Sequence, residues 1–247
     1  MIPTPLTPHL SQPEYESVYE PAEDTFILLD ALEQDAHLLK GSTLCLEVGS
    51  GSGCVTAFLA AICGTHRALY LTTDLNPIAC RSTLVTAQTN SQPRIETINT
   101  DLTSSLSDRL STQVDVLVFN PPYVETEEEE ATTAQRDPRV KGIEKTWAGG
   151  ARGMTVTNRL LSQVKDLLSP RGLFYLVAVP ENKPHQILAD MLVRGLHGEP
   201  AGSICTFCDS AIPSTPASQR LRLEVLETGT VLASRTADDN LPGEFEK

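Results

Sequence analysis

The chain has no hydrophobic run long enough to cross a membrane and no cluster of basic residues. No apolar stretch approaches the roughly 20 residues of a transmembrane helix, and the proline-rich start lacks the pattern of a signal peptide. The 19 lysines and arginines are outnumbered by 32 aspartates and glutamates, which gives a net charge of −13. Because nucleic-acid binding needs a cationic surface, this charge argues against DNA or RNA as a partner. A basic protein remains open as a partner, and we expect a cytosolic or nuclear location.

The six cysteines show no disulfide framework and no complete metal-binding pattern. They are scattered along the chain, at positions 45, 54, 63, 80, 205 and 208. Cys205 and Cys208 have the spacing of a zinc-binding pair, but no second pair accompanies them. If residues 203–209 form a strand, the odd spacing puts the two thiols on opposite faces. We therefore expect structural cysteines and no metal site in this chain.

The length of the chain suits one α/β domain. A chain of 247 residues with 40% hydrophobic residues can bury a sizeable core and is ordinary for a globular protein. Residues 1–17 form a proline-rich extension, and 18–227 form the predicted domain. The polar, acidic tail 228–247 is expected to be frayed.

A glycine-rich turn follows the first short hydrophobic strand. The predicted strand 44–48 leads directly into Gly49-Ser50-Gly51-Ser52-Gly53, and an apolar helix is predicted over 54–63. Strand, glycine turn and helix together predict a nucleotide-type site, because glycines let a ligand approach the backbone closely. Cys54 stands where dinucleotide-binding sites have their third glycine, which counts against NAD or FAD.

Three acidic residues recur at equal intervals, each at the end of a predicted strand. They are Glu47, Asp74 and Asp101, which end strands 43–48, 68–73 and 94–100. The interval is close to the roughly 30 residues of a βαβ unit, so all three are expected at one edge of the sheet. A single acid in such a place usually caps a helix or is solvated, but three around a glycine loop indicate a site.

The acids also indicate the kind of ligand. Asp74 is placed to bind ribose hydroxyls, and Asp101 can accept from an exocyclic amino group while Leu102 packs on the base. Carboxylates would repel phosphate, and neither lysine nor arginine occurs in the glycine loop. A nucleoside with a cationic centre and no phosphate fits best, so we predict S-adenosylmethionine as the cofactor.

The segment Asn120-Pro121-Pro122-Tyr123 follows a Val-rich strand predicted over 114–119. Neither proline has an N–H, so the amide oxygen of Asn120 and the carbonyl of Pro121 are left as a rigid pair of acceptors. Such a pair suits a planar NH2 group, as in a carboxamide, an adenine or a cytosine. Tyr123 is expected to pack on that flat group. Alone the segment would indicate only a turn, but next to the glycine loop it predicts a substrate and catalytic site.

The remaining elements and a long loop complete the predicted domain. Helices are predicted over 21–35, 76–89, 155–168 and 184–194, and strands over 172–179, 203–209 and 221–226. The loop 125–153 has the length of a functional lid and contains Trp147, which is expected to anchor it. The acidic run 127–130 is interpreted as a solvated loop, with docking of a basic substrate as the alternative.

Taken together, these motifs resemble those of Class I methyltransferases of the HemK family. The similarity extends to about residue 226 and is strongest in residues 18–25, 47–53, 120–123 and 146–153. It implies a Rossmann-like, doubly wound, seven-stranded and mostly parallel sheet whose last strand is antiparallel. It also implies which residues line the cofactor pocket, and these are Thr25, Glu47, Gly49, Gly51, Gly53, Asp74, Asp101, Leu102 and Asn120.

Within the family, the chain is most similar to eukaryotic enzymes that methylate a glutamine of a class I translation release factor. The resemblance implies N5-methylation of the glutamine in a Gly-Gly-Gln motif, held by Asn120. It also implies a small zinc-binding activator protein that adds a strand at the edge strand 94–100. The alternatives are an N6-adenine DNA methyltransferase, a protein lysine methyltransferase, and a dehydrogenase or non-catalytic nucleotide-binding module.

Overall fold

The computed structural model describes residues 1–92, 94–122, 153–201 and 219–226. Some predictions fall outside these residues and are not tested by the structure. They concern Tyr123, the acidic run 127–130, Trp147, the strand 203–209, and the tail 228–247.

A seven-stranded sheet forms the centre of the described part of the chain, with the order β3-β2-β1-β4-β5-β7-β6. The strands are β1 (Leu44–Val48), β2 (Leu69–Asp74), β3 (Ile95–Asn99), β4 (Val114–Phe119), β5 (Leu168–Ala178), β6 (His197–Ala201) and β7 (Arg220–Val225). The order reverses between β1 and β4, which is the topological switch point of a doubly wound sheet. The predicted Rossmann-like fold is therefore confirmed, and among the described strands β3 lies at an edge of the sheet, as predicted.

Helices cover both faces of the sheet. They are α1 (Glu23–Gln34), α2 (Ala36–Leu39), α3 (Cys54–Cys63), α4 (Pro77–Thr89), α5 (Thr155–Leu161), α6 (Val164–Leu167) and α7 (Pro184–Val193). On one face, Leu28 of α1 and Phe58 of α3 pack with Tyr175 of β5. On the other, Leu160 of α5 and Met191 of α7 pack with neighbouring strand residues. No helix in the described part of the chain combines the length and apolarity needed to cross a bilayer.

The prediction that the last strand is antiparallel is wrong. β7 runs parallel to β5, from the pair Leu173–Arg220 to the pair Ala178–Val225, and it is also parallel to β6. A parallel pair needs a connection of about a dozen residues or more, and the segment 202–218 between β6 and β7 is long enough for one. The strand before β7 is His197–Ala201, while the predicted strand 203–209 lies outside the described residues.

The single helix predicted over 155–168 is also wrong. The structure has two short helices, α5 and α6, separated by Ser162 and Gln163. Leu168 already belongs to β5, where it pairs with Val114 of β4. Leu168 was predicted to be helical, but it belongs to a strand because it pairs with β4.

The proline-rich segment before α1 packs against α4 and the end of β2. The ring nitrogen Nε2 of His9 lies 2.8 Å from the hydroxyl of Ser82, in the buried face of α4. Asn90, which follows α4, exchanges two hydrogen bonds with the backbone of Leu6. The amide of Asn76 donates to the carbonyl of Ser17 at 3.0 Å. The segment thus contacts α4 at both ends and in the middle, including the turn between β2 and α4.

Candidate active site at the carboxyl edge of the sheet

Strand register brings the predicted site residues to one edge of the sheet. Val48 of β1 pairs with Thr73 of β2 and with Phe119 of β4. The residues that follow these three, Gly49, Asp74 and Asn120, are therefore neighbours at the carboxyl ends of adjacent parallel strands. Asp101 lies two residues beyond β3 on the same side. The roles assigned to these residues stay predictions, while their common location is a property of the fold.

The glycine loop needs backbone conformations that other residues rarely adopt. Gly49, Gly51 and Gly53 have φ angles of 70°, 50° and 78°. A Cβ atom on Gly53 would lie 2.7 Å from the Cα atom of Thr83 in α4, so the loop and this helix approach too closely for any side chain. A Cβ atom on Gly51 would meet no atom of the described residues within 4 Å. The loop is therefore packed against α4 at Gly53 and open at Gly51.

Threonines of α4 hold the glycine loop in place, and sequence reasoning missed them. The hydroxyl of Thr83 donates to the hydroxyl of Ser50 at 2.9 Å, and that of Thr86 donates to the carbonyl of Ser52 at 2.6 Å. Both threonines are buried. The signal was present in the sequence, since hydroxyl residues three positions apart lie on one face of a helix.

Both carboxylate oxygens of Asp74 accept hydrogen bonds from the backbone, one from the glycine loop and one from the turn before α4. Oδ2 accepts a hydrogen bond from the backbone N–H of Gly51 at 2.9 Å, and Oδ1 accepts from the N–H of Asn76 at 2.8 Å. Burial raises the pKa of Asp74 above its usual value, and the backbone hydrogen bonds oppose that rise. Each oxygen has a second lone pair. Asp74 can therefore accept from ligand hydroxyls while it fixes the shape of the loop.

Glu47 is an acid inside the domain. Its side chain is 4% exposed, and Oε2 accepts hydrogen bonds from the backbone N–H of Thr56 at 3.0 Å and from the hydroxyl of the same residue. Burial raises the pKa of Glu47 to about 8, the hydrogen bonds from Thr56 oppose the rise, and the charge of Asp74 adds to it. A carboxyl that holds its proton at neutral pH becomes a charged partner when a cation approaches, because the cation favours the ionised form.

Asp101 has a partner that the sequence did not predict. Nη2 of Arg159, in α5, lies 2.6 Å from Oδ2 of Asp101, and both side chains are almost half exposed. Ion pairs with such exposure contribute about 1 kcal/mol or less, so a ligand can compete with this one. Leu102 follows with a φ of 49° and packs against the core. The role of Asp101 and Leu102 in adenine recognition stays a prediction, and Arg159 bonds to the first of them.

The side-chain amide of Asn120 has a hydrogen-bond partner at its nitrogen and, among the described residues, none at its oxygen. Nδ2 donates to Oδ2 of Asp24 at 2.9 Å. Oδ1 is buried, and within the described part of the chain no group donates a hydrogen bond to it. Pro121, which follows, is buried, and Pro122 is half-buried. The predicted pair of acceptors therefore includes a buried oxygen that can accept a hydrogen bond from an N–H group.

Asp24 and Thr25 lie in the first turn of α1, and Asp24 accepts the hydrogen bond from Asn120. The backbone N–H and the hydroxyl of Thr25 donate to Oδ1 of Asp24 at 2.7 and 3.3 Å. The hydroxyl of Tyr19 donates to the same oxygen at 3.3 Å. Thr25 was predicted as a cofactor residue, whereas the contact between Asp24 and Asn120 was missed. No group of histidine, cysteine and acidic side chains suited to a metal ion occurs among the described residues.

A switch-point sheet, a tight glycine loop and strand-end acids with an asparagine beside them define a Class I methyltransferase. Residues 19–136 match the family model of the methyltransferase small domain. The chain is 51% identical over 200 residues to methyltransferase HEMK2 of Mus musculus, covering 81% of this chain and 89% of the mouse protein. The chain belongs to the HemK family of methyltransferases.

Two further relatives extend the comparison beyond animals. The eRF1 methyltransferase catalytic subunit mtq2 of Schizosaccharomyces pombe is 42% identical over 199 residues, which cover 76% of this chain and 83% of the yeast protein. A release factor glutamine methyltransferase of Koribacter versatilis is 37% identical over 155 residues, which cover 59% of this chain and 50% of the bacterial protein. The family resemblance inferred from the motifs is thus confirmed.

Proposed function

We propose that this enzyme uses S-adenosylmethionine to methylate the side-chain nitrogen of a glutamine in the Gly-Gly-Gln motif of a class I translation release factor. The observation that carries the proposal is the buried oxygen Oδ1 of Asn120, an acceptor without a donor among the described residues. The names of the yeast and bacterial relatives, which refer to eRF1 and to release factor glutamine, support the substrate class. Translation ends in the cytosol, so the proposal also predicts a cytosolic location.

The residues present fit S-adenosylmethionine. The open side of Gly51 lets a ligand approach the backbone, and Asp74 beside it retains acceptor capacity for ribose hydroxyls. Glu47 provides a buried carboxyl that ionises in response to positive charge. When bound, the cofactor supplies a methyl group on a positively charged sulfur. The absence of lysine and arginine from the loop matches a ligand without phosphate.

The chain's own residues act by holding and orienting the substrate. An amide nitrogen is a poor nucleophile because its lone pair is delocalised into the carbonyl. Acceptance of its N–H groups by Oδ1 of Asn120 and the carbonyl of Pro121 would shift electron density onto the nitrogen. The same acceptors would stabilise the positive charge that develops there during transfer, as donors stabilise an oxyanion. Fixed placement of the nitrogen in line with the methyl group would supply much of the rate enhancement.

The two rival substrates, an adenine in DNA and a lysine side chain, fit the protein less well than glutamine does. An adenine amino group offers the same N–H donors, but a protein with a net charge of −13 and no basic run lacks a surface for DNA. A lysine amine is not planar and does not need the paired acceptors that a carboxamide needs. A glutamine side chain therefore fits both the negative charge of the protein and the paired acceptors, whereas each rival substrate fits only one of these features.

Mass spectrometry tests the function directly. The chain, with a partner if needed, is incubated with isotope-labelled cofactor and a release factor, and the methylated residue is located by fragmentation. We expect one methyl group on the Gly-Gly-Gln glutamine and none on a substrate whose glutamine is replaced by asparagine. Methylation at lysine or in duplex DNA, with the glutamine unmodified, would replace this proposal with the corresponding rival.

The edge strand β3 supports the further proposal of a partner that adds a strand. Among the described strands, β3 has one neighbour, β2. At its ends, the carbonyl of Arg94 and the N–H of Thr100 both bond to β2. Because a strand alternates between its two sides, the N–H of Thr97 points away from β2 and is available to another chain.

We propose that this partner is a small zinc-binding activator, with the zinc in the partner. The yeast relative is named a catalytic subunit, which means that it works with another subunit. In this chain the described residues contain no cluster suited to zinc. An acidic chain with an available strand edge gives such a partner main-chain hydrogen bonds and a surface for complementary charge.

Thr97→Pro should weaken the complex and spare the pocket. Proline removes one outward-facing N–H, while the inward ladder to β2 keeps its donors. We expect the partner's dissociation constant to rise about tenfold, the effect of about one main-chain hydrogen bond. Thr97→Ala keeps the N–H and serves as the control. Unchanged partner binding by the proline variant, or full activity of the monodisperse chain alone, would contradict strand addition at this edge.

A further inference from the structure

The carboxylate of Asp24 accepts hydrogen bonds from three residues. Oδ1 accepts from the backbone N–H and hydroxyl of Thr25 and from the hydroxyl of Tyr19. Oδ2 accepts from Nδ2 of Asn120 at 2.9 Å, across 96 residues of sequence. The side chain of Asp24 is 3% exposed. Such a buried carboxylate, satisfied by donors on both oxygens, is fixed in its orientation.

This arrangement determines which end of the Asn120 amide faces Asp24 and which end points away from it. An asparagine amide has a donor end and an acceptor end of nearly the same shape, so packing alone does not choose between them. A carboxylate accepts hydrogen bonds, so Oδ2 of Asp24 selects the NH2 end. The oxygen is then left on the other side, where it is buried and without a donor among the described residues.

We propose that Asp24 is a positioning residue that holds the amide of Asn120 with its oxygen toward the substrate nitrogen. This inference rests on the proposed function, since an oxygen there is needed only to accept an N–H of the substrate. Rotation of the amide by half a turn would present NH2 instead, placing a donor against the substrate's own donors. The acceptor would then be lost even though Asn120 is still present.

A role for Asp24 confined to the fold makes different predictions. The bond from the N–H of Thr25 belongs to the first turn of α1, so Asp24 also contributes to the start of this helix. If that were its whole role, an asparagine at position 24 would keep most of the effect, because its oxygen can accept the same bonds from Thr25 and Tyr19. The two roles therefore separate in the variant Asp24→Asn.

The test exchanges the two partners, singly and together. In Asp24→Asn, an NH2 group faces Nδ2 of Asn120, and we expect the Asn120 amide to rotate and give its oxygen to residue 24. In the double variant Asp24→Asn with Asn120→Asp, residue 24 donates to the new carboxylate, whose second oxygen again faces the substrate. The control is Asp35→Asn, at the other end of α1, which disturbs a buried carboxylate bonded to Tyr175.

Rates and cofactor binding are measured on the active enzyme with its partner if required. For Asp24→Asn we expect kcat to fall about 100-fold, as when one group of an oxyanion hole is removed. The dissociation constant of S-adenosylmethionine, measured by calorimetry, should change less than about tenfold, the loss of one ordinary hydrogen bond. The double variant should recover at least about tenfold in kcat over Asp24→Asn, and Asp35→Asn should keep the wild-type kcat.

Nuclear magnetic resonance supplies a readout that does not depend on activity. With 15N-labelled asparagine, the NH2 signals of Asn120 are assigned by their loss in Asn120→Asp. We expect one proton to show the downfield shift of a bond to carboxylate in the wild type and to lose it in Asp24→Asn. A wild-type kcat in Asp24→Asn, no recovery in the double variant, or an unmoved NH2 signal overturns the inference. If instead the wild type leaves release factor glutamine unmodified, the proposed function fails, and the signal still reports whether Asp24 orients the amide.

Discussion

Asn120→Ala should lower the rate of glutamine methylation by about 100- to 1000-fold, the range seen when one stabilising group of an oxyanion hole is removed. Alanine removes the buried oxygen Oδ1 that is proposed to accept the substrate N–H. Cofactor affinity should fall less than about tenfold, because Asp74 and the glycine loop remain. Single-turnover kinetics with saturating cofactor measures the chemical step apart from product release.

The same substitution removes one bond from a buried carboxylate, so stability needs its own control. Asp24 would keep the bonds from Thr25 and Tyr19, and we expect a cost of about 1–2 kcal/mol. Asn90→Ala is the matched control, since it removes another hydrogen-bonded asparagine at the far end of α4. Near-normal methylation by Asn120→Ala, or an equal loss of rate in Asn90→Ala, would contradict the role of Asn120.

The elements around the site were predictable because their sequence signals are local. Val114–Phe119 is apolar apart from Asp115, and the strand has these same bounds in the structure. Asn76 and Pro77 predicted the start of α4, and Asn76 accepts from the N–H of Ile78 as a helix cap. The location of Asp74 and Asn120 at one edge then follows from the parallel order of the strands.

Contacts between distant parts of the chain were not predictable, because no local pattern specifies them. Asp24 and Asn120 are separated by 96 residues, and Asp101 and Arg159 by 58. The direction of β7 depends on how the long connection before it runs, which strand periodicity does not encode. Thr83 opposes the glycine loop only because α4 packs there. These pairings depend on tertiary packing, and they determine how the predicted residues are oriented.

Gly53→Ala should remove cofactor binding and destabilise the domain. A φ of 78° costs alanine about 1 kcal/mol. The added Cβ atom would also lie 2.7 Å from the backbone of Thr83, an overlap that no side-chain rotation relieves. Overpacking of this kind costs about 1–3 kcal/mol more. Calorimetry should show a thermal midpoint lower by several degrees, and titration should show no saturable binding of S-adenosylmethionine at concentrations that saturate the wild type.

Two other glycines separate the causes of this loss. Gly41 lies before β1 at the opposite edge and has a φ of 97°, and an added Cβ atom would meet none of the described residues within 4 Å. Gly41→Ala should therefore lower the midpoint by about 2–4 °C and leave cofactor binding intact. Gly51→Ala has the same open surroundings but lies in the loop, so it should destabilise as little as Gly41→Ala while still blocking the cofactor. If Gly51→Ala binds S-adenosylmethionine with wild-type affinity, the cofactor does not approach the backbone there, and the loop's glycines serve only its packing against α4.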